Sequence, residues 1–139
     1  MEESIIKAFD IKQRDVKTYS PLTLAYIGDA VYELVIRTLL VSVSERTTKE
    51  YTKRAAEYSM APTQCCIIKS LLPDLSDEEK AAYRRGKNAS PAHVAKSGTP
   101  QDYYEATALE SLIGWLYVQD KEDRIYELIK LGMERINAE

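Results

Sequence analysis

The chain has very little of what small proteins use to build soft-metal or disulfide sites. In 139 residues there are two cysteines and a single histidine. Cys65 and Cys66 are adjacent in an apolar segment with no spaced Cys or His partners, which excludes a zinc centre and leaves both as expected buried thiols. His93 follows Ser90-Pro91 in a stretch of small polar residues and is poorly placed for a general base. Glycine and proline are scarce at five each, no run alternates apolar and polar residues, and no segment repeats, so a β-sandwich, a barrel or a solenoid is excluded. Long uncharged apolar runs are missing too, because Asp29, Glu33, Arg37 and Glu110 interrupt them and the chain opens Met-Glu-Glu. Neither a membrane span nor a signal peptide is expected, and the expected location is cytoplasmic. Nor is there an excess of basic charge. Nineteen Lys and Arg against 22 Asp and Glu give a net charge of -3, so any affinity for a polyanion must come from a local patch.

What the sequence does contain is helix signals. Ser20-Pro21 is a helix start, with the serine as N-cap and the proline where no N-H is needed. The stretch 22–41 that follows is apolar nearly all round, and is expected to be a central, buried helix. Residues 44–59 read as a second helix with Tyr51, Ala55 and Tyr58 on one face. Pro62 and Pro73 bracket a short helix containing Ile67, Ile68, Leu71 and Leu72. Ser76-Asp77-Glu78-Glu79 is a capping box opening a helix to about Arg85, residues 86–98 read as a long loop, and Thr99-Pro100-Gln101-Asp102 is a second start. A last amphipathic helix carries Ile125, Leu128, Ile129, Leu131 and Ile136, after a short helix and connector in residues 2–19. The expected fold is all-α, one domain over residues 1–139, with six or seven helices.

Two acids sit where acids are costly. Asp29 shares its side of the first long helix with Leu22, Ala25 and Ile36. Glu110 shares its side of the Thr99 helix with Tyr103, Ala106, Thr107, Ile113 and Gly114. Small residues beside both acids (Ala25, Gly28, Ala106, Gly114) would let the helices approach closely. Two carboxylates in one desolvated site repel, and a hard, partly hydrated divalent cation such as magnesium holds both ionised. The competing reading is that both are exposed, or separately bridged to Arg37 and Arg124. Glu105 lies about 140° round the helix from Glu110 and should not share a site with it, and Glu33 reads as the i,i+4 partner of Arg37.

At these residues the sequence resembles a known family. Leu-Ala-Tyr-Ile-Gly-Asp-Ala-Val-Tyr-Glu-Leu at positions 24 to 34 is similar to the signature helix of the ribonuclease III catalytic domain. Glu-Ala-Thr-Ala-Leu-Glu-Ser-Leu-Ile-Gly at 105 to 114 is similar to its second acidic helix. Arg84-Arg85-Gly86-Lys87-Asn88-Ala89, lying between them, narrows the resemblance to the Mini-ribonuclease III branch, which has no double-stranded-RNA-binding domain. The resemblance implies a ribonuclease III-like helical fold and a homodimeric, magnesium-dependent endoribonuclease for double-stranded RNA. Its products carry 5′-phosphate and 3′-hydroxyl ends. It also implies a role in maturation of the large-subunit (23S) ribosomal RNA precursor, helped by a ribosomal protein. Asp29 and Glu110 are the implied catalytic, metal-holding acids. The family's other acidic positions fall on Leu22, Ala25 and Thr107, so the metal site should be weaker. That loss also suggests the alternative of a catalytically silent domain that only binds structured RNA, and a helical protein-interaction module is a third reading.

RNA contact is expected between Lys80 and Gly98, where Lys80, Arg84, Arg85, Lys87 and Lys96 occur with no acid. Arg84, Arg85, Lys87, Asn88 and Lys96 are the candidate RNA-binding residues. Contacts of this type recognise phosphates and A-form shape more than sequence. The plainer reading is cations placed at the negative end of a helix.

Overall fold

The computed structural model describes residues 1–89 and 98–137. Among them are seven α-helices and no strand: α1 (Glu2–Ala8), α2 (Pro21–Val43), α3 (Thr48–Ser59), α4 (Ala61–Leu71), α5 (Asp77–Ala89), α6 (Pro100–Tyr117) and α7 (Glu122–Asn137), with short 3-10 turns at Val16–Thr18 and Leu72–Asp74. The punctuation residues act as their chemistry dictates. Ser20 Oγ accepts from Thr23 N at 3.1 Å. Ser76 and Glu79 exchange both bonds of a capping box, 2.8 and 3.2 Å, and Thr99 and Asp102 do the same at 3.1 and 3.0 Å. Each pairs N-terminal N-H groups that the helix itself cannot satisfy.

The element at the centre is α6. From residue 105 to 118 every residue except Glu110 is buried, and the helix is packed on by α2, α4 and α5, with α7 against its end. The core is Ile36, Ile67, Ile68, Leu71, Leu109, Leu112, Ile113, Leu116, Ile125, Leu128 and Ile129. Tyr32, fully buried, donates its hydroxyl to the Tyr58 carbonyl at 2.6 Å and so ties α2 to the end of α3. Arg124 pairs with Glu79 at 2.8 Å, and Arg135 pairs with Asp74, which fastens α7 to the segment leading into α5.

Three expectations are corrected. The first long helix is not buried all round: α2 buries Leu24, Ala25, Gly28, Val31, Tyr32 and Ile36, mostly on the side facing α6, while Leu22, Tyr26, Leu34, Leu39, Val41 and Val43 are exposed. Helix α5 does not stop near Arg85 but runs on to Ala89. Gly86 is the reason, since a Cβ there would lie 2.6 Å from Ser111 Cβ; its bare backbone packs on α6 instead of starting a loop. Finally, Cys65 is buried but Cys66 is exposed. Burial, with a hydrogen bond to Asp102, pushes the Cys65 thiol up to about 11, so it behaves as a small apolar group.

Candidate active site

The contact between α2 and α6 is made by two glycines facing in opposite directions. A Cβ on Gly28 would lie 1.8 Å from the Glu110 carbonyl oxygen, and one on Gly114 would lie 1.9 Å from the Leu24 carbonyl oxygen. No other residue fits either position, so the helices cross at backbone distance. Ala25 and Ala106, both buried, flank the crossing. The close approach brings the carboxyls of Asp29 and Glu110 within hydrogen-bonding reach of each other.

The two acids differ in environment. Asp29 is exposed, contrary to the expectation of a buried aspartate, whereas Glu110 is half-buried at the mouth of the crossing. Desolvation, then the charge and hydrogen bond of Asp29, push the Glu110 carboxyl up to about 8, and the Gln64 side chain opposes the shift. The arginines that could have bridged the two acids are engaged elsewhere. Arg37 bonds Glu33 at 3.2 Å, the expected i,i+4 partner, and Arg124 bonds Glu79. Among the described residues no group of three or more His, Cys, Asp or Glu is arranged to hold a metal ion. Of the positions to which the resemblance assigns further acids, Ala25 and Thr107 are buried and Leu22 is 42% exposed.

This donor set fits a hard divalent cation. Its charged donors would be carboxylate oxygens, one open to solvent and one held above its ordinary range by burial and by the neighbouring acid, and a cation would offset both. Gln64 is a site residue that the sequence reading does not single out. It is 2% exposed on α4, within hydrogen-bonding reach of Glu110, and its Nε2 has no other partner. The available signal is a lone amide in the apolar face that α4 presents with Ile67, Ile68 and Leu71.

The candidate RNA-binding residues separate. Arg84, Arg85 and Asn88 are exposed on α5, spaced so that one face carries all of them. Lys87 pairs instead with Glu105 at 2.9 Å. Glu105 is 1% exposed and also accepts from Tyr83 Oη at 2.6 Å and Gln101 Nε2 at 3.2 Å. Lys87 therefore neutralises a buried acid, and Glu105 stays apart from Glu110 as its position on the helix required. Lys96 and His93 lie outside the described residues.

Known proteins share this fold and much of this sequence. The Ribonuclease III domain family matches residues 22–121, the span that includes both acids. Mini-ribonuclease 3 of Clostridium tetani is 37% identical over 123 residues, 88% of this chain and 82% of that one. Mini-ribonuclease 3 of a Synechocystis species is 38% identical over 116 residues, 84% of this chain and 79% of that one. A crystal structure of a Fusobacterium nucleatum protein superposes with a TM-score of 0.79 at 35% identity, covering 87% of this chain and 98% of that one. With two acids on crossing helices, the same helical fold and relatives over most of its length, the chain belongs to the ribonuclease III family, in its Mini-ribonuclease 3 branch, and is an endoribonuclease.

Proposed function

We propose that the chain cleaves double-stranded RNA as a homodimer with one site per protomer, and that Asp29 and Glu110 hold a magnesium ion there. The observation that carries this reading is the pair of carboxyls from α2 and α6 within hydrogen-bonding reach, with Arg37 and Arg124 engaged elsewhere. When bound, a divalent cation supplies Lewis-acid polarisation of the scissile phosphate and a more acidic water for in-line attack. The residues provide the rest. Asp29 is exposed and open to an incoming duplex, while the glycine crossing holds the Glu110 backbone against α2. Arg84, Arg85 and Asn88 give α5 a face suited to backbone phosphates, and Lys96 adds charge in the same part of the sequence. Exposed apolar side chains along α2 support a dimer built partly on that helix. The whole chain, residues 1–139, acts as one catalytic domain. Among the described residues no helix is long and apolar enough to cross a membrane, and an RNA substrate of this kind would be met in the cytoplasm.

The finer biological reading is maturation of the 23S ribosomal RNA precursor, with a large-subunit ribosomal protein presenting the substrate. The absence of acids at Leu22, Ala25 and Thr107 favours one competing reading, a silent structured-RNA-binding domain. Incubation with duplex RNA, with and without magnesium, separates the two. New 5′-phosphate ends that need the ion, and that Asp29→Asn abolishes, are expected. Binding without cleavage at any magnesium concentration would leave only the silent domain.

A further inference from the structure

We infer that Gln64 is a positioning residue of this site: its side-chain amide orients the Glu110 carboxylate toward the ion, taking up a role that a third acid would otherwise share. The inference rests on the metal-holding reading of Asp29 and Glu110. Gln64 lies on α4, whose place is fixed by Ile67, Ile68 and Leu71, each 0% exposed. Its side chain is 2% exposed, lies within hydrogen-bonding reach of the Glu110 carboxyl, and its Nε2 has no partner other than that carboxyl. A buried amide donor that depends on one carboxyl for its bond is costly to folding, so its presence here calls for a reason. Its place beside Glu110 supplies one. Turned to the ion, Glu110 would use one oxygen there and leave the other facing α4, where Gln64 Nε2 can donate to it.

The type of residue matters as much as its place. A lysine at position 64 would neutralise the acids and repel a cation. A carboxylate would add charge to a crowded site. An amide orients Glu110 while leaving the site's charge for the ion.

The test measures ion binding apart from catalysis. Mn2+ is titrated into the RNA-free protein and followed by electron paramagnetic resonance, alongside the melting temperature, for the parent, Gln64→Met, Glu110→Gln and the double variant. Gln64→Met keeps length without the amide. It should melt at or above the parent temperature without ion, bind Mn2+ about tenfold more weakly, and need correspondingly more magnesium for half-maximal cleavage. In the Glu110→Gln background the Gln64 change should have no further effect on Mn2+, because the amide acts through Glu110. Parental Mn2+ affinity in Gln64→Met, or a loss that persists undiminished in the double variant, overturns the inference. If Glu110→Gln itself binds Mn2+ like the parent, the metal reading fails first and takes the inference with it. Should Gln64→Met not fold, Gln64→Glu decides instead. Facing Glu110, the new acid should lower the melting temperature without ion and enlarge the rise on adding Mn2+, and parental behaviour on both counts overturns the inference.

Discussion

Glu110 is the residue whose environment has the most to say about mechanism and stability together. Its carboxyl is raised from 4.5 to about 8, so between those pH values the folded protein holds a proton that the unfolded chain releases. The folded state then binds more protons than the unfolded one, and metal-free stability falls as pH rises from about 4.5 to about 8. Glu110→Gln should remove this slope and melt at or above the parent temperature at pH 8. Cleavage by the variant should fall about a thousandfold or more, since several kcal/mol of charge stabilisation disappear. Magnesium should flatten the slope in the parent, because a cation competes with the proton for Glu110. Thermal melts across pH, with and without magnesium, check the claim; a parent slope that Glu110→Gln leaves in place would assign it to another group. The residue itself is legible in the sequence, as an acid among Ala106, Ile113 and Gly114. That Glu110 is the half-buried member and Asp29 the exposed one is not, because helical spacing says which residues share a face and not how far the neighbouring helix covers it.

At the level of elements, α5 shows how one basic stretch divides into two jobs. Arg84 and Arg85 are exposed, whereas Lys87 turns to Glu105 on α6. Replacing Arg84 and Arg85 by alanine should weaken duplex binding and lower the log-log salt slope by about 0.7 to 0.9 for each phosphate no longer neutralised, about 1.4 to 1.8 in all. Lys87→Ala should act differently. It leaves Glu105 buried without its cation but still held by Tyr83 and Gln101, and Lys87 is partly solvated, so the melting temperature should fall by the equivalent of about 1 to 3 kcal/mol while the salt slope of the folded fraction changes little. Filter binding over a range of salt, next to a melt, reads both. A Lys87→Ala slope change as large as that for an arginine would return Lys87 to the RNA face. Capping residues make the starts of α2, α5 and α6 readable, because a cap is a local hydrogen bond. The end of α5 is hidden because Gly86 looks like a breaker in sequence, and only its packing against Ser111 shows that it joins two helices. Lys87 is hidden for the same kind of reason, since its partner Glu105 is 18 residues away and meets it only through the packing of α5 on α6.

For the whole molecule, the apolar surplus of α2 is the feature that the single chain leaves unexplained. The helix reads as buried on every side, yet Tyr26 is 82% exposed, with Leu22 at 42% and Leu34 at 46%. On the dimer reading both facts agree, because α6 covers one side of α2 and a second copy covers the other. Such a pairing would also set two sites in a fixed relation, as cutting both strands of one duplex requires. Tyr26 is the natural anchor, being aromatic, fully presented and three residues before Asp29, and buried aromatic anchors typically contribute about 2 kcal/mol or more to an interface. Tyr26→Arg should therefore raise the dimer dissociation constant by at least about thirtyfold, keep the helical circular dichroism, and depress duplex cleavage in step with the loss of dimer. A second exposed apolar group on and just after α1, Ile5, Phe9 and Ile11 at 47, 73 and 60%, supplies the control. Sedimentation of Tyr26→Arg and Phe9→Arg over the same concentration range decides between the faces. If Phe9→Arg dissociates and Tyr26→Arg does not, the interface lies at α1, and the apolar face of α2 must then be covered by something other than a second copy.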